Sequence, residues 1–192
     1  MALPPLVLAG FGISHPVFLN VETALYWRNL HIVILAIFPL LAFAPWLVVR
    51  GRSAWLSWTV GILGFIYAVF YSALDILAGI GAGALVHAGM PEGTMTVFDF
   101  GDGLGSIGSV AFVAACGVAA AYAFTWGGVR TLPGGVLVII GSLLFLLRHI
   151  FFPVGVIGQL FLAVGWVVIV LVLAARDKPA TPVPPEKWEV LT

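Results

Sequence analysis

The sequence predicts an all-α integral membrane protein, a five-span transmembrane helical bundle with an N-terminal interfacial segment. Of its 192 residues, 62% are hydrophobic and only 8% are charged, whereas soluble domains carry about 25% charged residues. Apolar runs of about 20 residues recur along the chain, which is the length that an α-helix needs to cross a bilayer. The formal net charge is zero and no basic patch or recognition motif is present, so nucleic acid is excluded as a partner. The lipid bilayer is the expected partner.

Residues 1–27 are apolar but contain Pro4, Pro5 and Pro16. No positively charged region precedes them, so they do not have the pattern of a secretory signal. Pro16 lies near the middle and disfavours an unbroken spanning helix, because proline removes an intrahelical hydrogen bond. We expect this segment to lie on the membrane surface or to dip into it, and a sixth crossing is the alternative.

Residues 28–175 are predicted to form the transmembrane bundle, and residues 28–49 its first span. Their length of about 22 residues is sufficient for one crossing. Pro39 and Pro45 predict a bend within this span, since each removes one intrahelical hydrogen bond.

The second span lies within residues 53–89, which would measure roughly 55 Å as a single helix. Nothing near its centre predicts a turn, so we expect one helix that either projects beyond the hydrocarbon core or breaks at its terminal glycines. An acid inside a membrane span indicates a functional site, and glycines let a second helix approach closely. The acid and two glycines belong to a row of residues spaced four apart, which places them on neighbouring faces of the helix. The row consists of Tyr67, Tyr71, Asp75, Gly79, Gly83 and His87.

Residues 90–103 are predicted to form a polar external loop before the third span, residues 105–126. The third span is rich in glycine, alanine and serine, which predicts a central helix packed against its neighbours. The single cysteine, Cys116, lies in this apolar run and excludes an intrachain disulfide. Glycines and a proline in residues 127–134 predict the following turn.

Residues 135–152 and 154–175 are predicted to form a helical hairpin, because one helix of their combined length would be about twice as long as a membrane crossing requires. Pro153 and Gly155 mark the bend. The charged, proline-rich tail, residues 176–192, is predicted to be extended or disordered on the cytoplasmic side.

Orientation follows from the distribution of basic residues, which are enriched in cytoplasmic loops. We expect a prokaryotic plasma membrane protein with its N-terminus outside and its C-terminus in the cytoplasm. In that orientation only Arg28 and Arg148 are external, and six basic residues are cytoplasmic: Arg50, Arg52, Arg130, Arg176, Lys178 and Lys187.

Polar and ionisable residues of the predicted spans gather towards the outer end of the bundle. We expect Asp75 to pair with Arg148, because an unpaired charge inside a membrane is costly. A protonated Asp75 bonded to Tyr71 or to a backbone carbonyl is one alternative, and a direct role in ligand binding or proton transfer is another. The candidate ligand-binding residues are Asp75, Arg148, His149, His31, Tyr71 and Gln159.

The cofactor is left open by the sequence, although histidines from three predicted spans permit a metal ion or haem. Neutral imidazole binds zinc, copper and haem iron, and the residues concerned are His31, His87 and His149. No H-x-x-x-H, H-E-x-x-H or C-x-x-C pattern supports this interpretation locally. Hydrogen bonding at the membrane interface is the alternative role of these histidines.

Three functions fit these observations. The first is binding of an apolar or amphipathic small molecule in an outer-leaflet cavity between the second, fourth and fifth spans, with Asp75 and Arg148 at its polar end. The second is an accessory subunit of a larger membrane complex, which the small residues of the third span favour. The third is a membrane enzyme or a haem or metal redox protein that uses the outer His/Asp cluster, although no nucleophile elbow, phosphate loop or carboxylate pair is present.

Overall fold

The computed structural model describes residues 1–177, and this part of the chain consists of helices and their connections, without strands. A π-helical segment, Asp75–Gly81, joins the fourth and fifth α-helices. The prediction of an extended or disordered tail falls on residues 176–192, which lie almost entirely outside those described. The α-helices are α1 Leu3–Ser14, α2 Ala24–Ile34, α3 Phe43–Val49, α4 Ala54–Leu74, α5 Ala82–His87, α6 Thr94–Gly127, α7 Leu132–Arg148 and α8 Val154–Arg176.

Four continuous helical segments of residues 1–177 are long and apolar enough to span a membrane. The third of them contains both α6 and α7, connected by a 3₁₀ turn, Gly128–Thr131. The predicted all-α membrane architecture is confirmed at this level. The four segments are Ala24–Val49, Ala54–His87, Pro91–Arg148 and Val154–Arg176.

The α-helix of the first spanning segment is interrupted at Pro39, as predicted, whereas Pro45 lies inside α3. α2 ends at Ile34, and a 3₁₀ turn, Phe38–Ala42, precedes α3. Pro39 occupies the start of this turn, where its missing N–H costs no helical hydrogen bond. The bend directs Phe38, which is fully buried, into the core of the bundle.

The second spanning segment runs without a break from Ala54 to His87. Its row of small and polar residues lies on one side of the helix, as the spacing predicts, and members of the row contact the first segment. The Tyr67 hydroxyl donates a 3.1 Å hydrogen bond to the Phe38 carbonyl. A Cβ atom on Gly83 would lie 3.0 Å from the Arg28 Cβ. The glycines of this row therefore allow the backbones of the two segments to approach closely.

The prediction of an external loop over residues 90–103 is wrong for most of this range, which is helical. After a short 3₁₀ turn, α6 begins at Thr94 and continues as one helix of 34 residues. A Cβ added to Gly101 would lie 3.0 Å from the Cβ of Ala78. A Cβ added to Gly105 would lie 2.8 Å from the Cβ of Leu74. Close packing against the second segment therefore outweighs the low helix propensity of these glycines.

α7 and α8 form the predicted hairpin, with its bend immediately before Val154. Glycines on the two helices meet at two levels. A Cβ on Gly134 would lie 2.8 Å from the Gly165 carbonyl oxygen, and one on Gly141 would lie 2.7 Å from the Gly158 oxygen. The two backbones are in near contact, as small residues permit within a membrane.

The N-terminal region forms a short helix, α1, of 12 residues. Its length of about 18 Å is less than a membrane crossing requires. α1 packs on the hairpin: Leu8 is fully buried, and a Cβ on Gly12 would lie 2.8 Å from the Val156 Cγ2. This contact brings the end of α1, and the residue that follows it, against the bundle.

Candidate metal centre

Three histidines from different parts of the chain converge at one end of the bundle. His15, His31 and His149 each offer one ring nitrogen, and these atoms all lie within 4.8 Å of one another. The Nε2 atoms of His15 and His31 are 3.4 Å apart. His15 and His31 are buried, with 5% and 2% of their surfaces exposed. We call these three residues the histidine cluster.

Each member of the cluster is held by the local structure around it. His15 follows the last residue of α1, and its ring meets the edges of Trp27 and Phe151 at centroid distances of 4.9 and 4.6 Å. His31 lies in α2 and stacks on Trp27. His149 follows α7 with a φ of +49°, an uncommon conformation for a residue other than glycine.

The hydrogen bonds of His15 and His31 leave their Nε2 atoms available as ligands. The Nδ1 atoms lie 2.7 Å from the carbonyl oxygens of Pro16 and Trp27 respectively. A carbonyl oxygen only accepts, so each Nδ1 carries the proton and each neutral Nε2 carries a lone pair. Burial lowers the pKa of His15, an effect larger than the opposing one of its bond to Pro16, so its neutral form predominates near pH 7. Two lone pairs therefore face each other across 3.4 Å.

His149 matches this pattern when its Nδ1–H donates to the Tyr71 hydroxyl oxygen. Its Nδ1 is hydrogen-bonded to the Tyr71 hydroxyl, while its buried Nε2 has no partner within residues 1–177. The His149 ring lies almost parallel to that of His31, with an interplanar angle of 5° and a centroid distance of 6.1 Å. Metal-binding histidines characteristically use one nitrogen for the ion and donate the other N–H to a protein oxygen.

Asp75 lies beside the cluster and is fully buried. Its Oδ1 is 3.8 Å from the Nε2 of His31, and neither carboxylate oxygen has a hydrogen-bond partner in the described part of the chain. A buried carboxyl group without a partner is unfavourable. A cation among the imidazoles would provide that partner and would also separate the facing lone pairs.

The π-helical segment determines how closely Asp75 and His31 approach. Asp75 is its first residue, and Gly79 lies one turn further on. A Cβ on Gly79 would lie 2.7 Å from the Cβ of His31 and closer still to its ring. The Trp27 indole donates a 3.1 Å hydrogen bond to the Ala78 carbonyl in the same segment. π-helical turns are frequent at functional sites, and this one positions the carboxylate next to α2.

The geometry of the donors suits one transition-metal ion. Ligands at about 2.0–2.1 Å from a tetrahedral centre are about 3.3–3.4 Å apart, and the His15–His31 separation is 3.4 Å. Asp75, whose Oδ1 lies 3.8 Å from the His31 Nε2, would supply the fourth ligand or accept a hydrogen bond from a water on the ion. Imidazole and carboxylate donors suit zinc, copper, iron, nickel and cobalt.

The expected ion pair between Asp75 and Arg148 is not formed. Arg148 is the last residue of α7 and is exposed, whereas the helix beside Asp75 is α2. The alternative bond between Asp75 and Tyr71 is also not formed, since the Tyr71 hydroxyl bonds to His149.

The remaining predicted residues are not members of the histidine cluster. Gln159 is fully buried in α8, and its amide atoms have no hydrogen-bond partner in residues 1–177. His87 is exposed at the end of α5 and is not among the clustered histidines. An apolar groove between the first spanning segment and α4 contains none of the predicted ligand-binding residues.

His15 was missed by the sequence interpretation. It immediately precedes Pro16, and the assignment of residues 1–27 to the membrane surface separated it from the spans. The available signal was positional: with the N-terminus outside, residue 15 lies at the same end of the bundle as His31 and His149.

Comparison with protein-family models, curated proteins and solved structures finds no match for this chain.

Proposed function

We propose that this protein binds one divalent transition-metal ion at the end of a membrane-embedded helical bundle. His15, His31 and His149 are the imidazole ligands, and Asp75 supplies a fourth ligand or accepts a hydrogen bond from a bound water. The proposal rests on the buried Nε2 atoms of His15 and His31, which face each other at 3.4 Å. The Nδ1 atom of each ring is already hydrogen-bonded to a carbonyl oxygen.

An ion is better supported than an apolar or amphipathic small molecule. The three donor nitrogens lie within 4.8 Å of one another, and aromatic rings of Trp27 and Phe151 pack directly against them. Donor nitrogens so close to one another favour a single ion over a larger ligand. The polar end expected for such a ligand also required Asp75 and Arg148 to face each other, which they do not.

Five membrane crossings are part of the proposal. The segment Pro91–Arg148 has 58 residues and would measure about 87 Å as one straight helix. α6 and α7 instead pack side by side: a Cβ on Gly135 would lie 3.7 Å from the Cβ of Ala120. Asp75 lies about 31 Å along the helix from Ala54, so the metal centre would be near the membrane surface opposite Trp55.

Cysteine labelling tests this topology in a plasma membrane with an external N-terminus. In a Cys116→Ala background, Thr96→Cys is expected to react with an impermeant maleimide on intact cells. Val129→Cys is expected to react only after permeabilisation. Both positions are exposed, so access to reagent is decided by the membrane. The opposite labelling pattern would invert the orientation, and labelling of both positions on intact cells would contradict the crossing by α6.

Cobalt binding tests the metal centre, because four-coordinate Co²⁺ gives intense visible absorption that six-coordinate Co²⁺ lacks. Chelator-treated protein is expected to bind one Co²⁺ per chain with the four-coordinate spectrum, and Zn²⁺ should displace it. A His15→Ala, His149→Ala double variant should lose this spectrum, whereas the exposed His87→Ala control should retain it. A stoichiometry of zero, or an unchanged spectrum in the double variant, would refute the proposal.

A further inference from the structure

A second feature, separate from the metal centre, is an apolar groove on the side of the bundle between the first spanning segment and α4. Its volume is about 670 Å³, and its walls include Ala42 and Trp46 on one side and Trp58 on the other. The groove runs from the 3₁₀ turn after α2 towards the loop between α3 and α4.

The floor of the groove exists because two residues of α4 lack side chains. A Cβ on Gly61 would lie 3.6 Å from the indole of Trp46, and one on Gly64 would lie 3.2 Å from the Cβ of Ala42. A large side chain at either position would occupy the space. The bend at Pro39, which also lines the groove, displaces α3 from the line of α2 and shapes the opposite wall.

A basic residue lies next to one of the side chains that line the groove. The Arg50 guanidinium lies 4.7 Å from the centroid of the Trp46 ring. The Ser57 hydroxyl, which lines the groove, donates a 3.3 Å hydrogen bond to the Val49 carbonyl, so the groove reaches the level of Arg50. Trp46 and Trp58 are both present at this end, and tryptophans favour the headgroup region of a bilayer.

Arg50 differs from its neighbour Arg52 in its electrostatic environment. The Arg52 guanidinium pairs with Asp177, and this hydrogen bond lowers the pKa of the Asp177 carboxyl. Within residues 1–177, no acidic side chain forms an ion pair with Arg50. Its charge is therefore available to an anion seated above the groove.

We propose that the groove holds one acyl chain of an anionic glycerophospholipid whose phosphate contacts Arg50. The lining is apolar, so an occupant drawn from the surrounding membrane would be a hydrocarbon chain. The adjacent cation favours a headgroup with net negative charge over a zwitterionic one. The attraction of one basic side chain for an anionic membrane surface corresponds to about a fivefold preference.

Native mass spectrometry of the full-length protein tests this inference. Delipidated protein is offered equal amounts of phosphatidylglycerol and phosphatidylethanolamine with matched acyl chains. The wild type is expected to retain one phosphatidylglycerol per chain with about a fivefold preference. Arg50→Gln should abolish the preference, and Gly61→Leu should reduce retention of both lipids.

Arg52→Gln is the matched control, because it removes a nearby charge that is already paired, and it should keep the wild-type preference. Equal retention of the two lipids by the wild type would overturn the inference, as would an undiminished preference in Arg50→Gln. Dimers in place of lipid adducts would show that a second copy of the chain covers the groove, which also contradicts it. These outcomes are independent of metal binding.

Discussion

Zinc at one hundred times its dissociation constant is expected to raise the melting temperature of the wild-type protein by about 5–10 °C and to leave that of His31→Ala unchanged. A ligand that binds only the folded state adds about 2.7 kcal/mol at this concentration. Each kcal/mol corresponds to about 2–4 °C for a domain of this size. His31 is the decisive ligand because its Nε2 lies 3.4 Å from that of His15 and 3.8 Å from Asp75. Thermal unfolding in detergent, with and without zinc after chelator treatment, provides the measurement.

The zinc-induced shift, rather than the melting temperature itself, is the quantity to compare. His31 is buried and packed on Trp27, so its truncation also destabilises the metal-free protein. His87→Ala serves as the control, because that histidine is exposed and lies outside the cluster. A full shift in His31→Ala would exclude this residue as a ligand. Loss of the zinc-induced shift in His87→Ala would indicate that the metal site is at the end of α5.

Gly79→Ala is expected to weaken zinc binding at least tenfold and to destabilise the fold by about 1–3 kcal/mol, the usual cost of forcing extra atoms into a packed core. The added Cβ would lie 2.7 Å from the Cβ of His31. Either the imidazole or the backbone of α2 must therefore move. Because Gly79 has no side-chain donor atom, a loss of affinity would report on the placement of His31 relative to the other ligands. Competition with a zinc indicator measures the affinity.

Gly117→Ala provides the control for this glycine substitution. Gly117 also lies in the interior of a long helix, and a Cβ there would have no heavy atom within 4 Å. Alanine is the better helix former, so stability should be unchanged or higher and zinc affinity should be unaltered. Equal losses of zinc affinity and stability in Gly79→Ala and Gly117→Ala would show that the effect comes from replacing a helical glycine in general and not from the contact with His31.

Local sequence determined the helical segments and several of their ends. Pro39 bends the first spanning segment because proline lacks a backbone N–H, and Pro153 precedes the first residue of α8. The residues of the four-residue row through Tyr67 and Asp75 lie on one side of their helix, because residues at that spacing share a face. These properties depend on residues that are neighbours in the chain, and for that reason they could be predicted.

The N-terminal start of α6 depended on contacts that local sequence does not contain. Glycine has low helix propensity, so Gly101 and its polar neighbours predicted a loop. Those glycines instead allow α6 to pack against Ala78 and Leu74 of the second segment. Tertiary packing supplied the stabilisation that the intrinsic preference of these residues lacks.

Some features of the candidate site were likewise determined by local sequence, and others only by tertiary packing. The sequence by itself determined that Asp75 would lie on a helix face lined by small residues, and that histidines would lie towards one end of the bundle. Only the tertiary structure decided that α2, and not the end of α7, meets Asp75, and that α1 delivers His15 to the cluster. The physical reason is that helix periodicity specifies which residues share a face. Which neighbouring helix that face meets, and at what rotation, is decided by packing between segments distant in the chain.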